Sequence, residues 1–116
     1  MQYLMLIYSS ESDDPKPGTP EGDSIFKEYM EFTEDVRRKE VMLGSNALQG
    51  VSTATTVRVR NGKTETTDGP FAETKEQLGG YYLLDCKDLD EAIEYATRIP
   101  SSKYGSIEIR PVMLFE

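Results

Sequence analysis

The segment Thr55-Thr56-Val57-Arg58-Val59-Arg60 alternates and is rich in β-branched residues, Asn61-Gly62 follows it, and Lys63-Thr64-Glu65-Thr66-Thr67 returns. No other stretch constrains the fold as tightly. Alternation with a period of two describes an extended strand. Asn-Gly is the preferred pair for a two-residue hairpin turn because both positions take positive φ. A turn of that length leaves one register: Arg60 opposite Lys63, Val59 opposite Thr64, Arg58 opposite Glu65, Val57 opposite Thr66 and Thr56 opposite Thr67. Arg58 and Glu65 are then an opposite-charge cross-strand pair, which contributes a few tenths of a kcal/mol up to about 1 kcal/mol.

The hairpin is flanked by two similar halves. In the first, Tyr3-Leu4-Met5-Leu6-Ile7-Tyr8 is apolar at odd and even positions, the pattern of a strand with both faces covered. Ser9 to Pro20, SSESDDPKPGTP, is a loop by its prolines and glycine. A helix is expected from about Glu21 to Glu40. Ile25, Tyr29, Phe32 and Val36 fall on one helical face, and Phe26 and Met30 widen the stripe. Gly44 ends that unit, and Ser45 to Val51 reads as a weak strand. In the second half Gly79 to Cys86 is a strand. Asp88 and Glu91 have the spacing of a capping box. Leu89, Ala92, Ile93, Ala96 and Ile99 line a helical face that Pro100 stops. Ser101 to Gly105 is a turn, Ser106 to Arg110 a final alternating strand, and Pro111 marks an edge or a strand end.

The order is β-α-β, hairpin, β-α-β, all within 116 residues, the length of one domain. This predicts an α+β ferredoxin-like sandwich, with helices on one face of an antiparallel sheet. The first strand and Tyr81-Tyr82-Leu83-Leu84 are apolar on both faces, so the uncovered face needs a lid. A second copy of the chain supplies it most simply, which predicts a homodimer packed sheet to sheet.

Composition removes several function classes. The formal net charge is -8. An acidic chain with no basic block repels phosphate backbones and anionic membrane surfaces, so neither nucleic acid nor membrane is an expected partner. The chain contains no histidine and one cysteine, Cys86, so Ser-His and Cys-His nucleophile pairs, the usual zinc sets and an internal disulfide are all ruled out. Cys86 lies in an apolar run and reads as a packed thiol. No metal site or cofactor is expected. The apolar run at Tyr3–Tyr8 is too short for a signal peptide or membrane span, and the cytoplasm is the expected compartment.

Three blocks carry a family likeness: Ala54 to Arg60; Thr67-Asp68-Gly69-Pro70-Phe71-Ala72-Glu73-Thr74-Lys75-Glu76-Gln77-Leu78-Gly79-Gly80; and Glu108-Ile109-Arg110-Pro111. Together they resemble the DGPF subgroup of the YCII-related family over nearly the whole chain apart from the Ser9–Pro20 loop. The resemblance implies a dimeric α+β barrel of ferredoxin-like subunits with a pocket between sheet and helices near the subunit interface. Some YCII relatives carry a His and Asp pair regarded as an active site, and some act on aromatic metabolites. With no histidine, this chain cannot carry that pair. DGPF members sometimes accompany sigma factors, which implies as an alternative a non-enzymatic regulatory module in transcription initiation.

The block around Asp68 is the candidate site. Extending the hairpin by one step sets Thr55 opposite Asp68 and puts Asp68 on the face of Val57 and Val59, where an unpaired carboxylate is costly. Gly69 and Pro70 then break the strand. One reading makes Asp68 a turn cap that accepts backbone N–H bonds, with Phe71 as anchor. The other makes it the acid–base group of a small-molecule pocket, with Lys75 or Arg110 as charge partner, Tyr8 and Phe71 as apolar walls, and Glu73 as the alternative carboxylate. Glu108 and Arg110 share a face of the last strand and read as an ion pair.

Overall fold

The computed structural model describes residues 1–115. Eight regular elements follow in chain order: strand β1 (Gln2–Ser9), helix α1 (Pro20–Arg38), strands β2 (Met42–Ala47), β3 (Thr55–Arg60), β4 (Lys63–Asp68) and β5 (Gln77–Asp85), helix α2 (Leu89–Arg98) and strand β6 (Ser106–Pro111). Short 3-10 turns at Val51–Thr53 and Pro100–Lys103 sit between them. Four strands form one antiparallel sheet in the order β2-β5-β1-β6. β1 and β2 are thus parallel with β5 between them, and α1 makes the crossover. The second half repeats the device with β5, α2 and β6. This is the α+β, ferredoxin-like arrangement of two interleaved β-α-β units. β3 and β4 pair only with each other, as a separate two-stranded ribbon.

The core lies between the sheet and the two helices. Tyr3, Met5 and Ile7 of β1, Tyr82 and Leu84 of β5, Phe32 and Val36 of α1, and Ala92, Ala96 and Ile99 at α2 make up most of it. Phe32 meets Tyr82 edge to face, 5.1 Å between ring centroids, a geometry worth about 0.5–1.5 kcal/mol beyond area burial. Cys86 packs into the same core, 1% exposed. Burial pushes its thiol up to about 11, so it is protonated and inert.

Local chemistry explains the ends of the elements. α1 starts one residue earlier than expected because Thr19 caps it: its Oγ1 accepts from the Gly22 N–H at 3.1 Å, and Pro20 takes the first helical position. Gly22 is required there, since a Cβ would collide with the Lys16 carbonyl oxygen. α1 ends in a Schellman motif. Val41 N–H donates to the Val36 carbonyl, Glu40 N–H donates to the Arg37 carbonyl, and Glu40 takes a φ of 59°. That sharp exit lets β2 begin at Met42 rather than Ser45, and Gly44 lies inside the strand at a register shift. At α2 the Asp88 carboxylate accepts from the Glu91 N–H at 2.9 Å. The Glu91 carboxylate accepts in return from the Lys87 N–H, one residue before the expected donor.

The hairpin register is the expected one, pair for pair, and continues to Thr55 opposite Asp68. Asn61 and Gly62 take φ values of 52° and 76°. Arg58 and Glu65 stand opposite each other but do not close to an ion pair among the described residues; both are exposed, where water screens the attraction.

Two expectations about apolar stripes are corrected. Phe26 and Met30 are 61% and 59% exposed, so they do not widen the buried face of α1. Leu89 and Ile93 are likewise exposed on α2. In each helix the sheet takes a narrow stripe and leaves its flank open.

On the face of the sheet away from the helices, Leu4, Leu6 and Tyr8 alternate with the buried residues of β1 and remain half-buried. Register places Leu83, Leu4 and Arg110 in one row, and Tyr81, Leu6 and Glu108 in the next. Arg110 Nε donates to the Glu108 carboxylate within that face. Among the described residues no helix is long and apolar enough to cross a membrane.

Candidate functional site

Two clefts meet at the Gln77 end of β5. The first opens between α1 and the sheet and has a volume of about 660 Å³. Its floor is the β1–β5–β2 end of the sheet, one wall is α1, and the Ser9–Pro20 loop forms its rim. Specific bonds order that rim. Asp13 and Asp14 N–H groups both donate to the Ser10 carbonyl at 3.0 Å. Glu11 N–H donates to Gln77 Oε1 at 3.0 Å, and the Glu11 carboxylate accepts from the Val51 N–H, also at 3.0 Å. Lys16 Nζ donates to the Glu11 carbonyl at 2.6 Å.

Hydroxyl groups dominate the deep wall of this cleft. Tyr29, from α1, shares a short hydrogen bond with Ser101 Oγ, and Ser101 Oγ is 3.1 Å from the Tyr104 hydroxyl. Thr33 Oγ1 lies 2.6 Å from the Tyr82 hydroxyl. Burial is the main force on Tyr29; it outweighs the opposing Ser101 hydrogen bond and pushes the phenol up to about 12. Burial also raises Tyr82, against the opposing bonds from Thr33 and Ser45. Both phenols therefore stay neutral at physiological pH, as orienting donors and acceptors rather than proton-abstracting bases.

The second cleft, of about 810 Å³, lies beside the first, between Tyr8, the Leu48–Ala54 segment and Pro70–Thr74. It is the more apolar of the two, with Phe71, Val51 and Leu78 on its walls.

The residues proposed from the sequence divide between these features. Tyr8, Phe71 and Glu73 line the second cleft together. Asp68, Lys75 and Arg110 line neither cleft. Asp68 ends the ribbon in exposed surroundings. It does share a face with Val57 and Val59, but that face is itself open, with the two valines 58% and 60% exposed. The expected apolar environment for the carboxylate is therefore absent in the protomer, because the ribbon is a separate two-stranded sheet whose valine face is exposed. The Gly69 N–H, which a capping Asp68 would have nearby, donates instead to the Ala54 carbonyl at 2.7 Å. Arg110 is engaged by Glu108.

Sequence reasoning did not single out Tyr29, Ser101, Tyr104 or Asp14. Tyr29 read as one member of a core stripe and Ser101 as one residue of a turn. Their bond joins positions 72 apart, and no local pattern encodes it.

Two comparisons bear on the chain as a whole. The sequence profile of the YCII-related domain matches residues 1–116. Uncharacterized protein R00369 of Rhizobium meliloti (strain 1021) is 37% identical over 122 residues, an alignment covering 100% of this chain and 95% of that protein.

Proposed function

The chain belongs to the YCII-related domain family, and on that premise we propose that it is a small-molecule-binding domain whose ligand sits in the cleft between α1 and the sheet. One observation carries this reading. The Tyr29, Ser101 and Tyr104 hydroxyls, brought from opposite ends of the chain, converge on the wall of a cleft of about 660 Å³. That volume suits a small organic ligand. A neutral hydroxyl chain on a half-apolar wall orients such a ligand without demanding a fixed charge. Screening a fragment library by saturation-transfer NMR against the wild type and Tyr29→Phe tests it. Hits that compete with one another and weaken about tenfold in the variant, the cost of one lost hydrogen bond to a buried partner, support the reading. Hits indifferent to the variant, with shifts confined to other surfaces, refute it.

The Asp68-Gly69-Pro70-Phe71 block supports placing the chain in the DGPF subgroup. The position of Glu73 beside Tyr8 and Phe71 supports a second reading, in which Glu73 is the acid–base group for a substrate in the second cleft. Asp68, Lys75 and Arg110 then act only if a partner protomer closes over them. We propose such a partner: a second copy packed against the open sheet face, supported by the half-buried Leu4, Leu6 and Leu83 on that face.

A further inference from the structure

We propose that the ligand of the cleft between α1 and the sheet is an organic cation, a small amine with an aromatic or aliphatic body; this rests on the binding role proposed above. The polar groups of the cleft are unequally engaged. Its side-chain nitrogen donors are partly in use: Gln77 Nε2 donates to the Thr74 carbonyl at 2.7 Å, and Lys16 Nζ to the Glu11 carbonyl at 2.6 Å. Lys16 is the one cationic side chain on the lining, and the lining includes no arginine. Acceptors remain. Asp14 lies on the rim with Oδ1 sealed from solvent and without a hydrogen-bond partner among the described residues. An under-satisfied carboxylate of this kind is costly, and a positive charge held in the cleft lowers that cost through space.

The walls suit the same chemistry. Phe26, 61% exposed, and Tyr29 line the cleft from α1, and Tyr104 lines it from the segment before β6. Aromatic faces attract cations through the ring quadrupole, more strongly where water is thinned out. An anion would meet two carboxylates on the lining, Glu11 and Asp14, against the one cation Lys16. The exposed face of Phe26 also gains cover from the body of an amine ligand.

Titration calorimetry and amide chemical shifts with three probes of one shape test this on the full chain: phenethylamine, 2-phenylethanol and 3-phenylpropanoate. The amine is expected to bind about tenfold tighter than the alcohol or the acid, the range of one hydrogen bond to a charged partner. Asp14→Asn, a change on the rim loop, is expected to collapse the difference between amine and alcohol. If the alcohol or the acid binds the wild-type cleft as tightly as the amine, or if Asp14→Asn keeps the full preference, the cation assignment is wrong while ligand binding in the cleft stands. If none of the three shifts resonances of the cleft, both readings fail.

Discussion

Glu40 is the residue whose backbone works hardest. It holds a left-handed φ of 59° so that α1 can turn directly into β2. A side chain in that region costs roughly 1–2 kcal/mol, partly offset by the greater unfolded-state freedom of glycine. Glu40→Gly is therefore expected to stabilise the fold by about 0.5–1 kcal/mol, seen as a higher urea midpoint with unchanged slope. A lowered midpoint would contradict the assignment of strain. Asp35 makes a second prediction at this scale. Arg98 at 2.6 Å, Arg38 at 2.7 Å and Lys39 at 3.2 Å surround its carboxylate. The hydrogen bond from Arg98, then that from Lys39, holds it well below the usual carboxylate range, at about 2. The folded state thus binds this proton less readily than the unfolded state. The stability Asp35 contributes is complete above the ordinary value of 3.8 and is lost as pH falls towards about 2. The stability gap between wild type and Asp35→Asn should accordingly narrow over that acid window and stay level at neutral pH. Denaturant titrations at stepped pH measure it; a constant gap through the acid range would show that the cluster does not tune this carboxylate.

At the scale of elements, legibility followed how local each cause was. The ribbon register was readable because Asn61-Gly62 sets it within the turn, and the α2 cap was readable from Asp88 and Glu91. The start of β2 was not, because it depends on Glu40, a glutamate doing what glycine usually does. The open flanks of the helices were not legible either: Phe26 and Met30 have core chemistry, and their exposure depends on which narrow stripe of α1 meets the sheet. The Tyr29–Ser101–Tyr104 convergence lay beyond any periodicity. The expectation for Asp68 had the right face and the wrong surroundings, since alternation says which side chains share a face but not whether anything covers it. The ribbon's independence is testable. Gly62 has a φ of 76°, with nothing within 4 Å of where a Cβ would stand. Gly62→Ala should therefore cost only conformational strain, about 1 kcal/mol, and should speed amide exchange in β3 and β4 alone. Loss of protection across β1 and β5 as well would show the ribbon to be coupled to the sheet.

The whole protomer is flat, 47 × 46 × 20 Å, with a radius of gyration of 16.1 Å. A compact domain of this length has about 13 Å. The thin dimension is one sheet and one helix layer; the excess comes from the ribbon and the chain end, where Met113, Leu114 and Phe115 are 74%, 67% and 87% exposed. An isolated two-stranded ribbon is at best marginally stable in water, so a shape of this kind is suited to being covered. For the proposed homodimer, sedimentation velocity should give the mass of two chains. Leu6→Arg, at the centre of the open face, should shift it to one chain while leaving the far-ultraviolet circular dichroism intact. A wild-type chain that sediments as a monomer across micromolar concentrations would sink the dimer.

The ribbon leaves and rejoins the sheet at a single place. Leu48 N–H donates to the Gly79 carbonyl at 2.9 Å, beside the Ala47–Gly80 pair that ends the β2–β5 ladder. Everything between Gln49 and Glu76 is thus an excursion between two strands that are already neighbours, and the antiparallel ladder would accept a short turn in its stead. The entropy of closing such an excursion grows only with the logarithm of its length. The arm can therefore lengthen, shorten or change composition without any core side chain having to repack. In this fold, variation in reach is separable from variation in scaffold.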